Sequence, residues 1–111
     1  MTSFYSIINN ITYWCKEGTD ILHREGDLPA IEYANGSKEY YLNGECHREN
    51  GPAIEYANGD KVYYLNGKYH REDGPAVEFA DGFKRYYYYG KYIKCSLNKE
   101  FKQLIKMKAF W

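Results

Sequence analysis

A His-Arg-Glu triplet occurs three times in this chain, and the triplets contain all three of its histidines. They begin at His23, His47 and His70. Histidine titrates near neutral pH and glutamate is a common general base, so such a triplet could transfer protons. A single active site, however, has no use for three equivalent copies. We therefore expect a structural role, in which each arginine pairs with a glutamate of the same or the next unit and each histidine forms hydrogen bonds at a connection. We predict no catalytic residue and no enzymatic activity.

Ligand binding is the alternative role for these triplets. His47, Arg48, His70 and Arg71 could contact the phosphates of a nucleotide or nucleic acid while nearby aromatic rings stack on the bases. A zinc site is not expected, because equivalent histidines of neighbouring units would lie roughly 10 Å apart, whereas zinc ligands lie about 2 Å from the metal. We predict no metal and no organic cofactor.

The three triplets belong to three tandem units, at residues 23–46, 47–69 and 70–92. Each unit contains an Asn-Gly or Asp-Gly pair between two runs of aromatic and β-branched residues. This pattern predicts a β-hairpin with a two-residue type I′ turn. A second pair, Asn-Gly in two units and Tyr-Gly in the third, follows the second run of each unit. The fold class that we predict is mainly β, an antiparallel meander of stacked repeat hairpins in an open twisted sheet, followed by a C-terminal α-helix.

A two-residue turn at Asn58-Gly59 fixes which side chains share a face. In the second unit it places Ile54 opposite Tyr63, and the predicted core face then carries Ile54, Tyr56, Tyr63 and Leu65. The other face is mixed in polarity, and we expect it to be in contact with solvent.

The tyrosines of this second face are the best candidates for binding a partner. Tyrosine is amphipathic and loses little conformational entropy on contact, which suits it to interfaces. The alternative is that the rings only pack against each other across strands. The candidate partner-binding residues are Tyr41, Tyr64 and Tyr87, with Tyr69 and Tyr92 opposite or nearby.

We expect a single domain over residues 1–111, with different segments at its two ends. Residues 1–22 form an N-terminal cap with a partial repeat, in which Tyr13-Trp14-Cys15 match Tyr63-Tyr64-Leu65. The apolar Phe4, Ile7 and Ile8 of this cap are expected to cover the sheet. Residues 93–111 form a helical cap, with an amphipathic helix over about 97–108. Unpaired hairpin edges would allow a second copy to bind, giving a homo-oligomer.

Charge and cysteine content indicate the compartment and the class of partner. Residues 1–90 carry 9 basic and 14 acidic side chains, whereas residues 91–111 carry six lysines and one glutamate. The acidic repeats argue against a membrane partner. Three cysteines without a C-x-x-C spacing favour reduced thiols and a cytoplasmic location.

The repeat unit resembles the MORN repeat. The similarity lies in the Asn-Gly turn, the aromatic pair after it, the second Asn-Gly-Lys and the following histidine, as in ANGDKVYYLNGKYHREDG. The glycine that usually follows the aromatic position is missing, and the His-Arg-Glu-x-Gly-Pro-Ala linker is similar to variant arrays of large DNA viruses, phages and some bacteria. The resemblance implies an open sheet of hairpins that binds proteins or membranes without catalysis, and the acidic repeats argue against the membrane use. For a viral or phage chain it implies an effector that inhibits a host defence or regulatory factor in the host cytoplasm.

Overall fold

The computed structural model describes residues 3–107, and it confirms a mainly β chain with an open antiparallel sheet of hairpins and a C-terminal helix. The chain begins with the hairpin of β1 (Ser3–Ile8) and β2 (Ile11–Lys16). The repeats follow, and their strands are short. These strands are β3 (Ile31–Glu32), β4 (Lys38–Glu39), β5 (Tyr41–Leu42), β6 (Glu45–Cys46), β7 (Ile54–Glu55), β8 (Lys61–Val62), β9 (Tyr64–Leu65), β10 (Lys68–Tyr69), β11 (Val77–Glu78), β12 (Lys84–Tyr88) and β13 (Lys91–Ile93).

The strands are arranged in two rows, and all the strand pairs within residues 3–107 are antiparallel. One row is a sheet in the order β1-β2-β3-β4-β7-β8-β11-β12-β13. The second row consists of the hairpins β5–β6 and β9–β10 and the end of the β12–β13 hairpin. Adjacent hairpins of this row are joined by backbone hydrogen bonds, such as the one from the Gly67 N–H to the Cys46 carbonyl oxygen at 2.9 Å.

The first turn of each repeat differs from the predicted two-residue type I′ turn. The Tyr56 carbonyl oxygen accepts a hydrogen bond from the Gly59 N–H, and the Tyr56 N–H donates to the Asp60 carbonyl oxygen, both at 2.9 Å. Gly59 has a φ of 100°. This is a three-residue loop, in which a type I turn is followed by a left-handed glycine that forms a bulge. The equivalent bonds recur in the turns at 33–37 and 79–83.

The extra loop residue shifts the strand register by one, so the predicted face assignment was wrong. Ile54 lies opposite Val62 rather than Tyr63. A shift of one residue moves every side chain of the second strand to the other face. Ile54 and Tyr56 therefore share their face with Val62 and Tyr64, whereas Tyr63 lies on the opposite face.

The type I′ geometry occurs instead at the second turn of each repeat. Asn43, Asn66 and Tyr89 have φ values of 51°, 48° and 45°, and the glycine after each is also left-handed. Asn9 and Asn10 make the same turn between β1 and β2.

Buried hydrophobic residues occur along the repeats, and a cluster of them that pack together lies at the C-terminal end. Helix α1 (Asn98–Met107) packs Phe101 against Tyr86 and Ile93, and all three side chains are buried. The predicted helix at 97–108 is thus confirmed to within one residue at its start, and residue 108 is outside the described residues. The expectation that Phe4, Ile7 and Ile8 cover the sheet was wrong, since they lie in a strand that extends the sheet and are 51%, 64% and 56% exposed.

Candidate functional site

The arginine of each triplet lies over an aromatic ring of the preceding full or partial repeat. The distances from the guanidinium carbon to the ring centroid are 3.9 Å for Arg24 over Trp14, 3.9 Å for Arg48 over Tyr40 and 4.1 Å for Arg71 over Tyr63. Trp14 thus occupies the place of Tyr63, so the predicted alignment of the partial repeat was one residue out of step. We call this side of the sheet the covered face, defined by the rings of Trp14, Tyr40, Tyr63 and Tyr86.

The same arginines also hold the polypeptide connection in place. Arg71 Nη1 donates to the Pro75 carbonyl oxygen at 3.2 Å and to Glu78 Oε1 at 2.7 Å. The equivalent ion pairs are 3.4 Å for Arg24 with Glu32 and 3.6 Å for Arg48 with Glu55. The expected pairing of each arginine with a glutamate of the same or the next unit is confirmed, and in all three cases the glutamate belongs to the same unit.

The three histidines join consecutive hairpins in the same way. In the third unit His70 Nδ1 accepts a hydrogen bond from the Tyr89 N–H at 2.8 Å, while Nε2 lies 3.3 Å from Glu72 Oε2. A backbone N–H can only donate, so Nδ1 has no proton and the proton is on Nε2. His23 and His47 make the equivalent contacts at the same positions. The triplets therefore occupy equivalent environments, each paired within the fold.

A groove of about 750 Å³ brings together His70, Arg71 and Arg48 beside Tyr63. The arginines already hold carboxylates there, because Arg48 Nε donates to Asp27 at 2.8 Å and Arg71 Nε to Asp73 at 3.1 Å. A phosphate would have to displace these groups. His47 lines a second groove, next to this one. Across residues 3–107 no group of three or more His, Cys, Asp or Glu side chains could hold a metal ion.

Four of the five candidate tyrosines form a continuous ladder of rings. The ring centroids are 4.8 Å apart for Tyr64 and Tyr69, 4.8 Å for Tyr69 and Tyr87, and 5.6 Å for Tyr87 and Tyr92. Tyr41 lies in the equivalent position one repeat earlier, opposite Cys46, which stands in the place of Tyr69. Cross-strand packing of the rings is thus present, and it leaves their outer surfaces open.

The register places further aromatic side chains on the same side of the sheet, and sequence reasoning did not identify them as functional. The Tyr33 hydroxyl and the Tyr41 hydroxyl both donate to Glu39, at 2.6 Å and 2.9 Å. Phe83 and Tyr92 both lie beside the Arg85 guanidinium. We call this side the aromatic face, defined by Tyr33, Tyr41, Tyr56, Tyr64, Tyr69, Phe79, Phe83, Tyr87 and Tyr92.

The aromatic face is open to solvent in the described structure. Tyr56, Phe79, Phe83 and Tyr92 are between 41% and 50% exposed, and Tyr69 is 37% exposed. Helix α1 does not cover these rings, because it packs on Tyr86, and successive residues of a strand point to opposite faces. Comparing the aromatic positions of the three repeats identifies these residues as one face only if the first turn is known to have three residues.

Several phenols of this face have a raised pKa. Burial and the hydrogen bond to Glu39 raise the pKa of Tyr41, and that hydrogen bond is the main cause that raises the pKa of Tyr33. Burial, with a hydrogen bond to Tyr69, raises the pKa of Tyr64. Burial also raises the pKa of the Cys46 thiol to about 12, so this cysteine is a poor nucleophile.

Comparison of the chain with protein-family models, curated proteins and solved structures finds no match. Within residues 3–107 the structure contains no helix that could cross a membrane.

Proposed function

We propose that this protein is a non-catalytic β-repeat binding protein that holds a protein partner against its aromatic face. The observation that carries the proposal is the unbroken ladder of rings from Tyr64 to Tyr92. The helix packs on the other side of the sheet, and within residues 3–107 no helix lies over the ladder. Large exposed apolar patches on small proteins commonly mark interaction sites. The resemblance to the MORN repeat supports the same proposal.

The chemistry of the face favours a protein partner over a phosphate-bearing ligand. Its rings offer apolar area, and its neutral phenols offer hydroxyl groups that can donate or accept hydrogen bonds. The Arg85 guanidinium carbon lies 4.0 Å from the centroid of the Phe83 ring and 6.0 Å from that of the Tyr92 ring, so this face does carry one cation close to its rings. The triplet arginines lie over the rings of the covered face, so they do not combine with the ladder into one nucleotide pocket.

The test is site-specific photo-crosslinking in a lysate of the native source. A benzoylphenylalanine replaces Tyr69 on the aromatic face in one variant and Lys61 on the opposite face in the other. Both positions are exposed and each belongs to a two-residue strand of the same repeat. We expect a discrete protein adduct from position 69 and none from position 61. Adducts from position 61 alone would contradict the proposal.

A matched pair of lysine variants extends this test. Tyr69→Lys with Tyr92→Lys adds charge to the ladder at half-exposed sites, so the fold should tolerate it. Leu97→Lys with Met107→Lys adds the same charge at exposed sites outside the aromatic face. Partner recovery should fall at least tenfold only in the first pair. Salt-sensitive thermal stabilisation by nucleotides or oligonucleotides, with full partner recovery by the ladder variant, would replace this proposal with a nucleotide-sequestering function.

A further inference from the structure

Strand β1 forms an open edge of the nine-stranded sheet. Within residues 3–107 it pairs with β2 on one side, and no strand lies along its other side. It is six residues long, whereas most strands of the repeats have two. Unpaired edges present free backbone N–H and C=O groups that readily take up another strand.

The turn after β1 determines which backbone groups point outward. Asn9 and Asn10 form a two-residue type I′ turn, so Ile8 and Ile11 close the hairpin as a hydrogen-bonded pair. Hydrogen-bonded and non-hydrogen-bonded residue pairs alternate along β1 and β2. Ser6 belongs to a hydrogen-bonded pair, so its backbone N–H and C=O groups point toward β2. Tyr5 and Ile7 direct theirs to the open edge.

This edge carries none of the features that protect natural sheet edges. Such edges usually carry lysine, proline or a bulge. The segment Ser3–Ile8 contains no charged residue and no proline, and it pairs with β2 in unbroken register. Its apolar side chains are exposed, with values of 60% for Tyr5, 64% for Ile7 and 56% for Ile8.

We propose that β1 pairs antiparallel with β1 of a second copy of this chain, with Ser6 on the two-fold axis. In this register Tyr5 exchanges both backbone hydrogen bonds with Ile7 of the partner subunit, using the groups that point outward. Phe4 lies opposite Ile8 of the partner subunit. Both pairings join an aromatic to a β-branched side chain, which are favourable cross-strand neighbours.

Self-pairing fits this edge better than the available alternatives. A two-fold axis centred on Tyr5 would place Phe4 opposite Ser6 of the partner subunit, so one of the aromatic–aliphatic pairs would be lost. Pairing with the other end of the sheet would use β13, which has three residues and includes a lysine. Paired residues of an antiparallel sheet point to the same face, and Ser6 pairs with Ser6 of the partner subunit. The aromatic faces of both copies therefore lie on the same side of one continuous sheet.

A cysteine at the axis tests the register. In Ser6→Cys the two new thiols lie in a non-hydrogen-bonded pair, where the Cα atoms are about 4.5 Å apart and a disulfide can form. Ile8→Cys is the control, because its two copies lie roughly 13 Å apart along the strands. Under mild oxidation we expect a disulfide-linked dimer from Ser6→Cys, and none from Ile8→Cys or the wild-type chain with its three cysteines.

Light scattering after gel filtration tests the association itself. The wild-type protein should have twice the mass of the chain. Ile7→Lys should halve this mass, because it places a charge at the paired edge on a side chain that is exposed in the single chain. Leu97→Lys is the matched control, with 65% exposure at a distant site, and should stay dimeric. A wild-type monomer at every concentration, or equal crosslinking of Ser6→Cys and Ile8→Cys, would overturn the proposal.

Discussion

Each repeat joins the next through a guanidinium that lies over an aromatic ring of the preceding repeat. For Arg71 this contact is accompanied by hydrogen bonds to the Pro75 carbonyl oxygen and to Glu78. A planar guanidinium can stack and donate in its own plane at once, which an ammonium group cannot do. The His-Arg-Glu triplets therefore act as connectors between repeats. Their arginines cover the aromatic rings of a sheet face that has few aliphatic side chains.

Replacing Arg71 should show how much one connector contributes. Arg71→Ala leaves the Glu78 carboxylate and the Pro75 carbonyl oxygen without this donor, and charge-assisted hydrogen bonds with a cation–π contact suggest a loss of about 2–3 kcal/mol in the free energy of unfolding. Arg71→Lys should recover less than half of it. Urea denaturation measures both, and equal stability of Arg71→Ala and the wild type would contradict a connector role.

High pH should destabilise the protein through its tyrosines. In the folded state the pKa values of Tyr33, Tyr41 and Tyr64 are raised above the ordinary value, which is near 10. Because the folded state favours the neutral phenols, their contribution is fully present below pH ~10 and is lost as the pH rises further. Tyrosinate absorbance should therefore increase together with loss of β-sheet circular dichroism. Titration of all phenols near pH 10 in a folded sheet would contradict this expectation.

Consecutive repeats stack because the first turn of one repeat forms a hydrogen bond with the first turn of the following repeat. The Asp60 carboxylate accepts a hydrogen bond from the Ala80 N–H at 2.7 Å, and the Ser37 hydroxyl accepts one from the Ala57 N–H at 2.9 Å. Phe83 occupies this position in the third unit, where no further repeat follows. The side chain after the turn glycine thus joins consecutive repeats.

Two substitutions of Asp60 separate this bond from other effects. Asp60→Ala removes the acceptor and should lower the free energy of unfolding by about 0.5–1.5 kcal/mol, the usual net contribution of a hydrogen bond whose donor water can reach once the acceptor is gone. Asp60→Ser introduces the residue that makes the bond one repeat earlier, and it should lose less than half as much. Thermal or urea unfolding gives both values, and identical losses would show that the bond is not the cause.

The sequence was sufficient to predict the repeats, the antiparallel meander and the terminal helix, because turn residues and apolar spacing are local signals. The faces could not be predicted from local signals alone. Asn58-Gly59 is compatible with a two-residue I′ turn and with a three-residue turn that needs one left-handed glycine. The open side of the sheet, and with it the roles of Tyr56 and Phe79, depends on which turn forms.

The molecule as a whole has one covered face and one open face. Arginines cover three rings of the covered face, and helix α1 covers the fourth. The ring centroids of Phe101 and Tyr86 are 5.1 Å apart. Repeat arrays need end segments that differ from the repeats, since a terminal unit lacks a neighbour. Helix α1 thus takes the place of a fourth connector.

Removing the Phe101 side chain should uncouple the helix from the sheet. Phe101 is fully buried, and a Phe→Ala change at such a site costs about 3–5 kcal/mol. We expect Phe101→Ala to lose amide protection in α1 and β13 first, while the exposed neighbour Lys102→Ala retains it. Hydrogen exchange measures this difference, and full protection of α1 in Phe101→Ala would show that the helix is held in some other way.

The central claim is that a three-residue turn places Tyr64 and its neighbours on an open face and Tyr63 under an arginine. Nuclear Overhauser contacts of Val62 and Tyr63 test it most directly in solution. We predict contacts of the Val62 methyl groups with Ile54 and Val77, which flank it in register, and of the Tyr63 ring with the Arg71 side chain. Contacts between the Tyr63 ring and the Ile54 side chain would contradict the register and remove the aromatic face.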